Sequence, residues 1–349
     1  MVKKRNVFLV CVLVAAIAAG TYYTLSQNQK PAVGTSFLMD TVVEYKLYGK
    51  DAEQAKLAIE QTLSEFENKV SRYINGSEID QLNQNAGIGP VAVSDDTLEL
   101  LSRCLEYGKF SEGVFDITVA PLTQEWNVTA EHPKVPSEQV IDQLLKLVNY
   151  RDLALDLQTE TAYLEHKGQA VDVGGIAKGF ACDLARKTAL DYGITSGYIS
   201  IGGNLMVIGE KPNHQPFKFG VRDPRGSAND YIGIVTLPDS TMATSGDYER
   251  YFEQDGVRYH HILDPETGWP ARTDLMSVSV VTPDGAYADF MSTYLFIKGK
   301  AFALEHLDSL NCGLIVVDKD RNVYISESLK DSFAPSDSSG SYQFNGVKS

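Results

Sequence analysis

Residues 171–204 read VDVGGIAKGFACDLARKTALDYGITSGYISIGGN, and the chain changes character within them. Ile176, Phe180, Leu184 and Ala185 form an apolar stripe, so a helix begins near Ala177 with Gly174 and Gly175 at its approach. Behind that helix, YISIGGNLMVIG (198–209) is a short β-rich run divided by glycine. Upstream, helical patterns dominate. AEQAKLAIEQTLSEFENKVSRY (52–73) puts Ala55, Ile59, Leu63, Phe66, Val70 and Tyr73 on one face. SDDTLELLSRCLEYGKF (94–110) has Ser94 as N-cap with Leu98, Leu101 and Leu105 facing inward, and a third helix starts at Ser137. Downstream, YIGIVTLPDS (231–240), MSVSVVTPDG (276–285) and CGLIVVDKDRNVYIS (312–326) are strand-like runs separated by glycine, proline and aspartate. TVVEYKLYG (41–49) alternates as one early strand. Helices in blocks and strands in blocks, without βαβ alternation, give an α+β fold with largely antiparallel sheet. No 20–50-residue repeat is present, and the polar end 331–349 reads as a loose tail.

The chain has 349 residues, 43% hydrophobic and 22% charged, an ordinary globular balance for one large domain or two lobes. A formal charge of −15 argues against general nucleic-acid binding. An anionic ligand therefore needs local lysines, backbone amides or a metal ion. Lys3, Lys4 and Arg5 precede the apolar run VFLVCVLVAAIAAG (7–20) and then a polar stretch, the layout of a bacterial export signal. Residues 1–30 are thus a signal peptide cleaved near Ala19 or a retained anchor, with lipidation at Cys11 the weaker reading, and the rest is extracytoplasmic. Cys104, Cys182 and Cys312 are sparse and without C-x-x-C spacing, against both a disulfide framework and a zinc site.

Four constellations carry chemistry. Lys178 falls in the first turn of its helix, where the macrodipole disfavours a cation, so it is either a solvent-facing lysine or a phosphate contact. The segment 243–271, ATSGDYERYFEQDGVRYHHILDPETGWPA, gathers hydroxyls, carboxylates and the pair His260–His261, of which at most one faces a given site if the pair lies in a strand. In YADFMSTYLFIKG (287–299), Asp289 and Thr293 share one face of an otherwise apolar helix. Oxygen ligands of that kind suit Mg²⁺, while a helix cap and a back-bonded threonine explain them equally in local terms. SEGVFDITVAPLTQEW (111–126) is a ligand-lining loop or a packed strand edge.

In order along roughly 36–317, the segments FLMDT, SRYINGSEIDQLN, GVFDITVAPL, VDVGGIAKGF, SIGGN, ATSGDYERYF, HHILDPETGWP and ADFMSTYLF resemble the ApbE family of FAD:protein FMN transferases. The resemblance implies an α+β flavin transferase domain over 36–330, with its FAD site between two lobes. It implies transfer of FMN from FAD to a serine or threonine hydroxyl of a partner protein, with Mg²⁺ and release of AMP. The partner would be a subunit of a membrane redox complex or an exported electron carrier. Met39, Tyr73, Val114, Phe115, Asp116, Asp172, Lys178 and Met276 match FAD contacts, Met276 mostly through its backbone. Asp289 and Thr293 match metal ligands, joined by a carbonyl from the Gly175–Ala177 turn, and His261 matches the proposed base. Two departures stand out: MDT where many relatives have MGT, and Phe290 and Ser292 where alanines are frequent. The competing readings are an FAD pyrophosphatase giving FMN and AMP, and a non-catalytic FAD-binding protein.

Overall fold

The structure, a computed structural model, describes residues 30–345 apart from 228 and 338. Its centre is a nine-stranded sheet of β1 (Ala32–Leu38), β2 (Thr41–Tyr48), β3 (Ser196–Ile201), β4 (Asn204–Ile208), β5 (Thr241–Gly246), β6 (Leu275–Thr282), β7 (Gly313–Asp318), β8 (Asn322–Ile325) and β9 (Gln343–Asn345). The strands lie side by side in chain order, each antiparallel to its neighbour until β9, which runs parallel to β8. Six helices fill the long connection from β2 to β3: α1 (Ala52–Val70), α2 (Glu78–Gln84), α3 (Asp95–Phe110), α4 (Ala120–Trp126), α5 (Glu138–Leu145) and α6 (Ala177–Asp191). A seventh, α7 (Gly285–Glu305), connects β6 to β7. The α+β class and antiparallel sheet follow from the sequence as expected.

Period-two alternation splits the sheet between two cores. Met206, Ile208, Leu314 and Val316 join the core under the helices, whereas Leu205, Val207, Ile315 and Val317 join the core on the opposite face. That second face is covered by a hairpin of Phe217–Arg222 and Tyr231–Leu237. One place breaks the rule. The β6–β7 register shifts between Leu275 and Ser277, so Leu275 shares the helix-side core with Val278 and Val280, and Met276, two residues before Val278, falls in the other one.

Two expectations need correction. α1 ends at Val70, with Ser71 extended at ψ 118°, so Tyr73 leaves the helical face and stands 80% exposed. The helical spacing continues past the point where the backbone stops being helical. The tail is not loose over its described part: Phe333–Pro335 pairs with Tyr231–Leu237, β9 extends the main sheet, and Phe333 and Tyr342 are buried in the second core. Ser94 stands at the N-cap of α3 as expected, although its hydroxyl and amide bond Glu78 Oε2 at 3.0 Å and its side chain makes no cap bond.

Candidate active site

The glycine turn is built by local bonds. Asp172 Oδ1 accepts the Gly174 N–H at 2.9 Å, and the Val173 carbonyl accepts from Ile176 and Ala177, so α6 starts at Ala177. The third glycine of the motif decides what the turn faces. A Cβ on Gly179 would lie 2.1 Å from the Gly285 carbonyl oxygen, and one on Gly285 would lie 2.4 Å from the Gly179 carbonyl. Helices α6 and α7 therefore cross backbone to backbone, which brings Asp289 onto the N-terminal end of α6. There its Oδ2 accepts the Gly179 N–H at 2.9 Å, and its Oδ1 lies 4.0 Å from Lys178 Nζ.

Asp289 is not the cap of its own helix. The cap of α7 is Asp284, which accepts the Tyr287 N–H at 2.8 Å, and Asp183 accepts the Gly285 and Ala286 N–H groups. Asp289 sits one turn later, buried at 4% exposure. Thr293, one turn further along α7, has its Oγ1 3.0 Å from Ser245 Oγ, which also meets Ser292 Oγ at 2.9 Å. The Ser245 hydroxyl at the end of β5 thus joins the oxygen face of α7. Lys178 also donates to the Gly174 carbonyl at 3.4 Å, so it folds back over the turn beside the buried carboxylate.

The two histidines diverge as their adjacency requires. His260 is buried against Phe296 with Nε2 3.1 Å from the Ala271 carbonyl. His261 is half-buried, its Nδ1 3.3 Å from the Arg250 carbonyl, which also accepts its backbone N–H at 3.0 Å. Burial first, then the Lys178 cation and His260, push the His261 imidazole down to about 3. It is therefore neutral near pH 7.

The matched flavin positions fall into four places. Phe115 is buried, its ring edge-on to Phe290 at 5.1 Å and under Gly175, where a Cβ would come within 3.2 Å; half-buried Val114 precedes it. Asp116 turns inward: Oδ1 accepts from the Thr118 amide and hydroxyl and Oδ2 from the Tyr150 amide, so its carboxylate builds the loop. Asp172 pairs with Arg72, Nε to Oδ2 at 3.1 Å, while the same guanidinium donates to Tyr73 Oη at 2.7 Å and covers its ring at 4.6 Å. Arg72, absent from the sequence-based site, is what ties exposed Tyr73 to the glycine turn. Met276 occupies the bulge in β6, its carbonyl accepting the Asp247 N–H at 3.1 Å. Asp247 is buried and clamped by Arg225 through two 2.7 Å bonds. Met39 lies with Asp40 in the β1–β2 turn, to which Arg250 reaches.

Fold and site together define an α+β protein with a buried carboxylate and hydroxyls on one helix, a lysine at the start of another and a neutral histidine nearby. The chain belongs to the ApbE family, whose sequence profile matches residues 39–316. Among similar proteins, one named FAD:protein FMN transferase from Klebsiella pneumoniae (strain 342) is 30% identical over 307 residues, 87% of this chain and 94% of its own. Another of that name from Treponema pallidum (strain Nichols) is 30% identical over 83% of this chain and 84% of its own. A crystal structure of the ApbE protein from Thermotoga maritima superposes with a TM-score of 0.80 at 32% identity, covering 86% of this chain and 98% of that one.

Proposed function

We propose that this chain is an FAD:protein FMN transferase, moving FMN from FAD to a serine or threonine hydroxyl of a partner protein and releasing AMP. The observation that carries the reading is the junction of Lys178, Gly179 and Asp289 at the crossing of α6 and α7. The donor set there fits Mg²⁺. A buried carboxylate with one N–H partner and a lysine 4.0 Å away keeps acceptor capacity on Oδ1, and Thr293 adds a hydroxyl oxygen. Of the turn carbonyls, that of Ile176 already accepts from Phe180 at 3.0 Å, and that of Ala177 opens the α6 ladder. Gly175 is therefore the better placed to complete the set. Mg²⁺ held there would neutralise charge on the pyrophosphate oxygens.

The chain's own groups supply the rest. The Lys178 cation and the positive end of the α6 dipole favour an anionic group there. The Arg250 carbonyl favours the proton of His261 on Nδ1, which leaves Nε2 to take the proton of the incoming hydroxyl. A phosphate beside Lys178 offsets one cause of the depressed His261 basicity, so substrate binding strengthens the base. The hydroxyl oxygen then bonds to the FMN-side phosphorus as the phosphoanhydride bond breaks, and AMP leaves.

Transfer at the outer side of the membrane, to a redox-complex subunit or an exported electron carrier, belongs to the same proposal. It is supported by the signal-like run 7–20, which lies outside the described residues. Among those residues no helix is long and apolar enough to cross a membrane. The test is incubation with FAD, Mg²⁺ and a protein bearing an aspartate followed by a Ser/Thr-Gly-Ala stretch, read by intact mass, with and without chelator. An FMN adduct that chelation abolishes is expected. FAD binding with no adduct refutes transfer, and free FMN plus AMP in place of an adduct makes the chain a pyrophosphatase.

A further inference from the structure

The β1–β2 turn is made by Met39 and Asp40, with φ of 55° and 54°. A two-residue hairpin turn of this hand ordinarily carries glycine in its second place, because an L side chain crowds the left-handed backbone. Both residues here are non-glycine, so the turn is held against its own preference. Arg250 braces it from across the site: Nη2 donates to Asp40 Oδ2 at 3.0 Å and to the Asp40 carbonyl at 3.3 Å. The pair is open to solvent, the two side chains 47% and 80% exposed, and exposed ion pairs contribute little to stability. Arg250 has a second attachment, since its own carbonyl accepts the His261 N–H and faces His261 Nδ1. One residue thus grips the strained turn with its side chain and His261 with its backbone.

We propose that Asp40 and Arg250 form a positioning pair for the transfer reaction, holding the Met39 turn and the His261 imidazole in one register. The inference rests on the reading of His261 as base and Met39 as a flavin contact. Strain in a turn that a bond from across the site maintains is the kind of cost found where geometry serves function. Asp40 and Arg250 touch no reacting atom; they act through Met39 and His261.

The test uses the full chain with Asp40→Asn, Arg250→Gln, both together, and Arg250→Lys. Asparagine keeps tolerance of the left-handed backbone, so Asp40→Asn removes the charge without new strain. Each single change is expected to lower kcat by about tenfold at saturating FAD and acceptor, and to raise KM for FAD, with little change in melting temperature. Because either change cuts the same link, the double variant should be no slower than the worse single one, whereas independent effects would multiply to about a hundredfold. Arg250→Lys, which keeps a cation, should recover part of kcat. Multiplying effects, wild-type kcat in either single variant, or losses that track melting temperature in all four would overturn the inference. Failure of the wild-type chain to transfer FMN at all would instead remove the functional reading.

Discussion

Gly179→Ala puts the crossing of α6 and α7 to a direct test. The new Cβ would sit 2.1 Å from the Gly285 carbonyl oxygen and 2.7 Å from Asp289 Cβ. Neither obstruction is the end of a flexible side chain, so no rotamer change relieves it. The helices must separate by about 1 Å or more to restore ordinary van der Waals distances. Overpacking of this kind costs about 1–3 kcal/mol. Separation also stretches the bond from the Gly179 N–H to the Asp289 carboxylate, worth about 1.5–3 kcal/mol as a charged hydrogen bond. Alanine's better helix propensity returns about 1 kcal/mol. The net loss is about 1.5–5 kcal/mol, a fall in melting temperature of about 3–15 °C for a chain of this size. FMN transfer measured well below the new midpoint should fall further than the folded fraction does, because Asp289 moves with α7. Gly89→Ala is the control: nothing lies within 4 Å of its Cβ position, and it should melt like the wild type. A Gly179→Ala protein that melts within 2 °C of wild type and transfers FMN normally would refute the close crossing as the basis of the site (threshold of about half a kcal/mol).

Further outcomes follow from the same geometry. Asp289→Asn should abolish transfer, and should also remove the Mg²⁺-dependent rise in melting temperature, about 2.7 kcal/mol at a hundredfold excess over Kd for a wild-type metal site; an unchanged Mg²⁺ response would place the metal elsewhere. His261 titrates near 6.5 when unfolded and about 3 when folded, so the unfolded state takes up the proton first as pH falls, and stability is lost from pH 6.5 downward. His261→Gln removes that loss, so thermal melts of variant and wild type should diverge in the variant's favour between pH 6.5 and 4, and parallel curves would contradict a histidine held neutral by its surroundings. Ending the chain after Lys330 removes Phe333 and Tyr342 from the second core, at about 1.5–3 kcal/mol each, and a urea midpoint equal to that of the full chain would show that the tail does not belong to the fold.

What the sequence made legible was whatever burial writes locally. Ala55, Ile59, Leu63, Phe66 and Val70 were readable as one face because each meets the same core at every turn of α1. Tyr73 continued that spacing and was misplaced, since periodicity carries no record of where the backbone leaves the helix. The bulge at Met276 was equally invisible: it inverts the facing of β6 through a register shift that only the partner strand defines. The tail looked loose by composition, but two aromatic side chains fix it, and composition averages them away. The site's joints are longer in range still. Gly179 and Asp289 are separated by 110 residues, and Asp40 and Arg250 by 210.

The two carboxylates in apolar surroundings, Asp116 and Asp289, show what the third dimension adds. In sequence each is an aspartate flanked by aromatic and aliphatic residues, and the family resemblance gives both a place at the ligand. Asp116 spends both oxygens on three donors from Thr118 and Tyr150, filling most of its roughly four lone-pair sites and fixing a loop. Asp289, just as buried, receives one N–H and has a lysine only at 4.0 Å. A buried carboxylate with spare acceptor capacity is unfavourable unless a further positive charge completes it. The unfilled capacity of Asp289, more than its residue type or its helix position, is the observation on which the proposed cation site rests and which Asp116 lacks.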